Sequence, residues 1–270
     1  MKNLLKKIIP YILGVKIRGL YQKILKFYYS GDTLYCPFCQ NSFRKLLPGG
    51  FNLPVINEKK IIGAGYRENN ICPRCYSTDR DRLIYLYLKE KTNIFTQNIK
   101  LLHIAPEGSI KSLIQQYPNI TYSQGDKFEN GYRGYYYDRK VNQMDITQIP
   151  FPDDTFDVII CNHVLEHIEN DKKAMEELYR VLKPNGWAII QVPISQTLAN
   201  TFEAEANSPE ERERLFGQFD HVRIYGQDYP SLLENVGFAV SIHNPVRDGW
   251  NINHDYYAIN TLENIYVAYK

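Results

Sequence analysis

From residue 100 to the C-terminus, short apolar runs alternate with stretches of helical periodicity. The apolar runs lie at 100–105, 121–124, 158–161, 187–192, 238–243 and 265–269, and the helical patterns lie near 109–116, 171–182 and 228–236. Strands that alternate with helices predict an α/β fold, a parallel sheet with helices on both faces. The last two runs read as a hairpin-like pair. Upstream, 80–92 has helical periodicity through Leu83, Ile84, Leu86, Tyr87 and Leu88, and links this region to what precedes it.

Charge divides the chain differently. Residues 1–30 carry seven Lys/Arg and no acidic residue, leaving 25 basic against 30 acidic residues elsewhere, a net −5. A basic arm thus sits on a mildly acidic body. Within 4–28, Leu5, Ile8, Ile12, Val15, Leu20, Ile24 and Tyr28 fall near helical spacing, interrupted by Pro10, Gly14 and Gly19. Such a helix packs on the body or on a second copy in a homodimer, or lies on an anionic membrane surface. The longest uncharged run in the arm, 8–15, has eight residues. Spanning a bilayer takes about 20. Charges return at Lys16 and no small-residue cleavage site follows, so a signal peptide is not expected. The expected location is cytoplasmic, with peripheral contact at the inner membrane face through 1–29 as the extension of the arm's chemistry.

Four of the five cysteines form two CPxC turns, Cys36/Cys39 and Cys72/Cys75, separated by 32 residues. Two such turns supply the four thiolates that a tetrahedral structural zinc requires. Free thiols and redox-active pairs are the alternatives. Zinc ribbons often place glycine after the second cysteine, whereas Gln40 and Tyr76 stand here. With four protein ligands the metal has no open position, and its role is to stabilise a small zinc-ribbon-like unit, 31–92 with its linker helix.

Three stretches carry a family resemblance: DITQIPFPDDTFD at 145–157, VIICNHVLEH at 158–167 and VLKPNGWAIIQVP at 181–193. They resemble the central block of class I, type 11 S-adenosylmethionine (AdoMet) methyltransferases. The likeness extends over roughly 101–270, and it implies a Rossmann-like sheet at 93–270 with an antiparallel final strand. It also implies the site. Asp145 meets the adenine amine and Ile146 packs on the ring. Asp126, at the end of the second strand, takes the ribose hydroxyls. The turn His103-Ile-Ala105-Pro106-Glu107-Gly108 holds the methionine part, and the loop Cys161-Asn162-His163 lies beside the sulfonium and the incoming substrate. Relatives carry an acidic residue and a Gly-x-Gly-x-Gly turn where this chain has His103 and the single Gly108.

Other features are weighed against plainer roles. His163-Val-Leu-Glu-His167 matches the inverted zinc-protease pattern, but a protease needs a long helix there. Glu166 and His167 read instead as a cap for the helix near Asp171. Cys161 reads as an inert strand residue, and 183–186 as a tight turn before the fifth strand. The stretch 203–214 is charged and helical and leads to Phe216-Gly-Gln-Phe-Asp-His221-Val-Arg-Ile-Tyr-Gly226, a candidate substrate lid. In it His221 is a candidate general base, and a hydrogen-bonded structural histidine is its plainer role. Residues 131–139 are aromatic-rich and read as an exposed loop.

The expected activity is methyl transfer from AdoMet to an oxygen or nitrogen acceptor, a small molecule or glycan. An RNA acceptor is disfavoured by the acidic body, because a nucleic-acid surface is basic. A non-catalytic scaffold or membrane adaptor is the reading that the altered 103–108 turn favours.

Overall fold

A computed structural model describes residues 11–127 and 141–270, with side chains from residue 17 onward. The aromatic-rich 131–139 and the start of the basic arm lie outside the described residues. In chain order the elements open with helix α1 (Tyr11–Tyr28), strands β1 (Ser30–Cys36), β2 (Asn41–Phe43) and β3 (Leu47–Gly49), and α2 (Pro54–Glu58). Strands β4 (Ile61–Ile62) and β5 (Arg67–Ile71) and helix α3 (Asp79–Lys91) follow. The larger part comprises β6 (Ile99–Ile104), α4 (Gly108–Ile114), β7 (Ile120–Asp126), β8 (Asn142–Gln143), β9 (Phe156–Asn162), α5 (Asp171–Val181), β10 (Leu182–Gln191) and β11 (Ile194–Ser195). It closes with β12 (Phe202–Glu203), α6 (Pro209–Phe216), β13 (Arg223–Ile224), α7 (Tyr229–Glu234), β14 (Ala239–His243) and β15 (Ile265–Tyr269).

Seven strands form one sheet in the order β14-β15-β10-β9-β6-β7-β8. β8, β7, β6, β9 and β10 are mutually parallel, and β15 runs antiparallel to both neighbours. The chain leaves β6 towards β8, then returns to the other side of β6 as β9. The carboxyl ends of β6 and β9 therefore flank the switch point, where open α/β sheets bind ligands.

Adjacent residues of each central strand feed two separate cores. Leu102, Ile159, Ala188 and Ile190 meet α5 and α7 on one face. Leu101, Val158, Ile160 and Ile189 meet α3 and α4 on the other. Period-2 alternation between two apolar faces explains why these strands read as unbroken hydrophobic runs. Helix α3 shares its core with the sheet, so the boundary expected at 92/93 is corrected: α3 is a layer of the sandwich. It opens with a capping box between Thr78 and Asp81.

The cysteine-bearing unit is clasped to the sheet domain. β4 pairs antiparallel with β11 (Ile62 with Ile194, Ile61 with Ser195). The wholly buried Arg82 donates to the carbonyls of Ser77, Asn70, Tyr257 and Ala258. Tyr35 stacks on Tyr256 at 5.6 Å.

Helix α1 forms where periodicity places it, and its described apolar side chains are largely exposed. Ile17, Leu20, Tyr21, Ile24, Phe27 and Tyr28 are exposed, Phe27 to 87%. The reading in which it packs on its own chain is corrected for the described residues. No helix among them is long and apolar enough to cross a membrane. The stretch expected as a turn at 183–186 instead belongs to β10, as an irregularity between Leu182 and Trp187, with Asn185 at φ +64°.

Candidate functional site

The four cysteines of the CPxC turns converge. Cys36 and Cys75 Sγ lie 3.5 Å apart and Cys39 and Cys72 Sγ 3.7 Å apart, and all four sulfurs fall within 4.8 Å of one another. A tetrahedron with 2.3 Å zinc–sulfur arms has edges of about 3.8 Å, so the cluster has the dimensions of a four-thiolate zinc site. None of these cysteines is in a disulfide. The amide of Arg74 points at Cys72 Sγ (3.4 Å) and the Ser77 hydroxyl lies 3.2 Å from Cys36 Sγ. Gln40 and Tyr76, which follow the second cysteine of each turn, adopt φ of +53° and +62°. That is the conformation in which glycine is unstrained, and it explains why ribbons often place one there.

At the switch point, the turn after β6 is built without the expected glycines. Ala105 takes φ +46° and its amide donates to Gly125 O. The strain thus falls on Ala105, while a side chain added at Gly108 would meet open space. Pro106 and Glu107 follow, and Glu107 opens α4.

His103, expected to touch the cofactor, is wholly buried. Its Nδ1 meets the Tyr122 hydroxyl and its Nε2 meets Glu107 Oε2, each at 2.8 Å. That expectation is corrected: both ring nitrogens are engaged, and the group His103 presents to the crevice is the Glu107 carboxylate. Burial opposes ionisation of Glu107, but the hydrogen bond and charge of His103 outweigh it and hold the carboxyl below its usual range. An acidic residue is therefore supplied four residues after the position where relatives carry it.

Asn162 ends β9 beside this turn. It is 4% exposed, its oxygen has no hydrogen-bond partner, and its amide lies close enough to Glu107 to help hold that carboxyl down. A buried carbonyl oxygen without a donor is costly unless something fills the crevice. Asp126 ends β7, half-buried, its carboxyl pushed up by burial. Asp145 is partly open to solvent, accepts from Thr147 N and Oγ1, and pairs with Lys127 at 3.1 Å. Ile146, expected against the adenine ring, lies at the edge of the core beside Met144 and Ile149, 3% exposed.

At the other side of the β9 end, His163 adopts φ +54°, with its amide bonded to Gln191 O. Its Nδ1 lies 3.3 Å from Glu166 Oε1, its Nε2 is buried without a partner, and burial lowers its pKa. Glu166 and His167 do not cap α5, as expected; Asn170 does, accepting from Lys173 N. Glu166 is buried instead. Burial opposes its ionisation, but His163, His167 and His221 hold its carboxyl at about 2. His221 is driven down to about 4 by burial and stands edge-on to His167 at 4.7 Å.

The expected lid is strapped down. Arg223 donates to the carbonyls of Leu165, Ile168 and Glu169, and Tyr225 OH donates to Asp171. Both side chains are buried supports. Helix α6 covers only part of the stretch read as helical, because Pro209 starts it and Gly217, at φ +86°, ends it.

Sequence reasoning passes over the contribution of the N-terminal unit. Gly63, at φ +90°, approaches so closely that a Cβ there would sit 3.2 Å from the His163 ring and 3.4 Å from Glu263 Oε1. Beside this contact lies a cavity of about 80 Å³, lined in part by Ile62, Gln196, Gln227, Glu263 and Asn264. A shallower cleft of about 440 Å³ adjoins it over Asn57, Lys60 and Tyr66. Both lie beyond β10 rather than at the β6 turn. Arg80, the second residue of α3, acts by charge on His163, Asp81 and Glu263. None of these carries a local motif; only the fold assembles them.

Glu263 gives a pH prediction. Burial first, and then the charge of Asp79, push its carboxyl up to about 7. A carboxyl with a higher pKa folded than unfolded holds its proton longer in the native state. Stability then falls as pH rises from about 4.5 through about 7 and stays lower above. Glu263→Gln removes that loss, on the order of 3 kcal/mol. Urea midpoints measured near pH 5 and near pH 8 should show the variant gaining on the wild type only at the higher pH. Parallel pH profiles for the two proteins would refute it.

A family model described as a methyltransferase domain matches residues 120–190. Among curated proteins, the ubiquinone/menaquinone biosynthesis C-methyltransferase UbiE of Vibrio parahaemolyticus is 34% identical over 65 residues, 23% of this chain and 25% of that protein. The 2-phytyl-1,4-naphtoquinone methyltransferase of Nostoc punctiforme is 29% identical over 121 residues, 40% of this chain and 52% of that protein. The matches therefore span about a quarter and about half of these relatives. Among solved structures, an S-adenosylmethionine-dependent methyltransferase from Mesorhizobium loti aligns at 11% identity with a TM-score of 0.47, over 72% of this chain and 98% of that one. One from Archaeoglobus fulgidus aligns at 15% identity with a TM-score of 0.46, over 73% and 96%. Residues 120–190, which match the methyltransferase-domain model, lie within an α/β sheet of seven mostly parallel strands.

Proposed function

We propose that the chain is an AdoMet-dependent methyltransferase acting on an oxygen or nitrogen acceptor, a small molecule or glycan, with a structural zinc in its N-terminal unit. The observation that carries the reading is the buried Asn162, its oxygen without a donor, beside the Glu107 carboxylate, both at the switch point of a sheet whose 120–190 segment matches the methyltransferase family. The residues fit the cofactor: Glu107 suits an amino group, Arg80 a carboxylate, Asp126 a ribose diol and Asp145 an adenine amine. When bound, AdoMet supplies an electrophilic methyl group, and the protein's contribution is chiefly alignment. His163 and His221 stand on the acceptor side. Burial lowers the pKa of each, which favours the neutral imidazole a general base needs.

The four-cysteine cluster fits zinc by donor type and spacing. A carbon acceptor is the second reading, favoured by the names of the quinone methyltransferases among the relatives. Calorimetric titration of the zinc-loaded protein with AdoMet and with S-adenosylhomocysteine tests the first claim. Saturable micromolar heat that is lost in Asp145→Ala is expected. Absence of heat from a folded protein would discard the enzyme and leave the scaffold reading.

A further inference from the structure

Glu166, His167 and His221 offer ligand atoms that all lie within 4.8 Å of one another. They come from two segments 54 residues apart, joined by the hydrogen bond from Val222 N to Glu166 O and by the Arg223 strap. Glu166 is 2% exposed, and its Oε2 has no hydrogen-bond partner. A buried carboxylate oxygen left without a donor, facing two imidazoles, is the arrangement a cation completes. His167 Nδ1 lies 3.3 Å from Asp220 Oδ2, the outer carboxylate contact that ligating histidines commonly have.

We infer that Glu166, His167 and His221 form a second metal site, for a divalent transition-metal ion. Two nitrogens and one carboxylate suit zinc, iron, cobalt or nickel, whereas magnesium and calcium prefer all-oxygen sets. Three protein ligands leave coordination positions open, unlike the closed four-cysteine cluster. The neighbouring His163 at the end of β9 also has a buried Nε2 with no partner. On the methyltransferase reading, on which this consequence alone rests, His221 is a ligand rather than a free base. The ion would then lower the pKa of an acceptor hydroxyl placed on it.

The test uses the full chain with zinc already in the cysteine cluster, titrated with cobalt(II) without oxygen and followed by visible absorption. A second metal equivalent is expected, with weak d–d bands and no thiolate charge-transfer band. Glu166→Gln should abolish it. His167→Asn, at a partly exposed position that tolerates change, should weaken it at least tenfold while the far-ultraviolet circular dichroism is retained. Asp220→Asn, which removes the carboxylate contact to His167 Nδ1, should weaken it about tenfold or more. Failure to bind a second equivalent, or binding that survives Glu166→Gln and His167→Asn, overturns the inference. Titration of the same samples with AdoMet separates the two claims. Protein that binds AdoMet but no second cobalt sinks the metal site alone, and protein that binds cobalt but no AdoMet sinks the methyltransferase reading while leaving the site standing.

Discussion

Replacing Cys72 with serine is expected to reduce zinc to near zero per chain and to unfold the cysteine unit. The cluster around the cysteines buries five apolar residues, Leu34, Cys36, Phe43, Leu46 and Cys72, and two of those five are proposed ligands. A cluster of that size cannot offset the entropy of ordering its loops, so metal binding supplies the folding free energy, on the order of 10 kcal/mol for such sites. The loss should stay local. Arg82 and the buried face of α3 remain anchored in the sheet domain, whose two cores are larger. Plasma mass spectrometry of the purified variant reads the metal, and hydrogen exchange reads the extent of unfolding. Protection should vanish across β1–β5 and persist in β6, β9 and β10. The β4–β11 clasp is the seam between the two regimes, and its loosening would expose His163 and Glu263 to water. Unchanged zinc content would end the metal reading. A wild type that carries no zinc and forms a disulfide on mild oxidation would install the redox reading instead.

The central strands are legible because their middle residues alternate between two apolar cores, as Val158, Ile159 and Ile160 do in β9. What escapes is set by distance in sequence or by brevity. β8 has two exposed residues, Asn142 and Gln143, and carries no apolar signal. The β4–β11 clasp joins Ile61 and Ile62 to a partner more than 130 residues away. Each piece is too short for any periodicity to register. The 103–108 turn misleads for a different reason. Glycines mark where a backbone needs left-handed φ, and this chain meets that need with a strained Ala105. His103 reads as the replacement for an acidic residue until the fold buries it and brings Glu107 forward on the same turn. The HVLEH stretch is visible, but its meaning depends on Asp220 and His221, which only the strapped 195–230 segment brings to it. In the 103–108 turn and the HVLEH stretch, local pattern locates the segment, and tertiary contact decides which side chains come together.

Glu107→Gln is expected to weaken AdoMet and S-adenosylhomocysteine binding about 10- to 100-fold while leaving 5′-methylthioadenosine almost unaffected. That nucleoside keeps the adenine, ribose and thioether but lacks the amino acid end. In the proposed pose, Glu107 takes the amino group, and the loss is that of one charge-assisted hydrogen bond in a largely buried crevice, about 1.5–3 kcal/mol. Glutamine preserves the side chain's shape and can still hydrogen-bond His103, so the β6 turn should survive. Arg80→Leu removes the charge proposed to receive the carboxylate and should show the same selectivity between ligands. The comparison excludes a merely structural effect, because a collapsed turn would weaken all three ligands together. Equal losses for the three would assign Glu107 to holding the turn with His103, and no loss for any would place the methionine end elsewhere. Selective loss in both variants would mean that a chain without the glycine fingerprint holds the methionine part by charge, with one group from α3 and one from the turn after β6. The cysteine unit, through the helix it feeds, would then be part of the cofactor site.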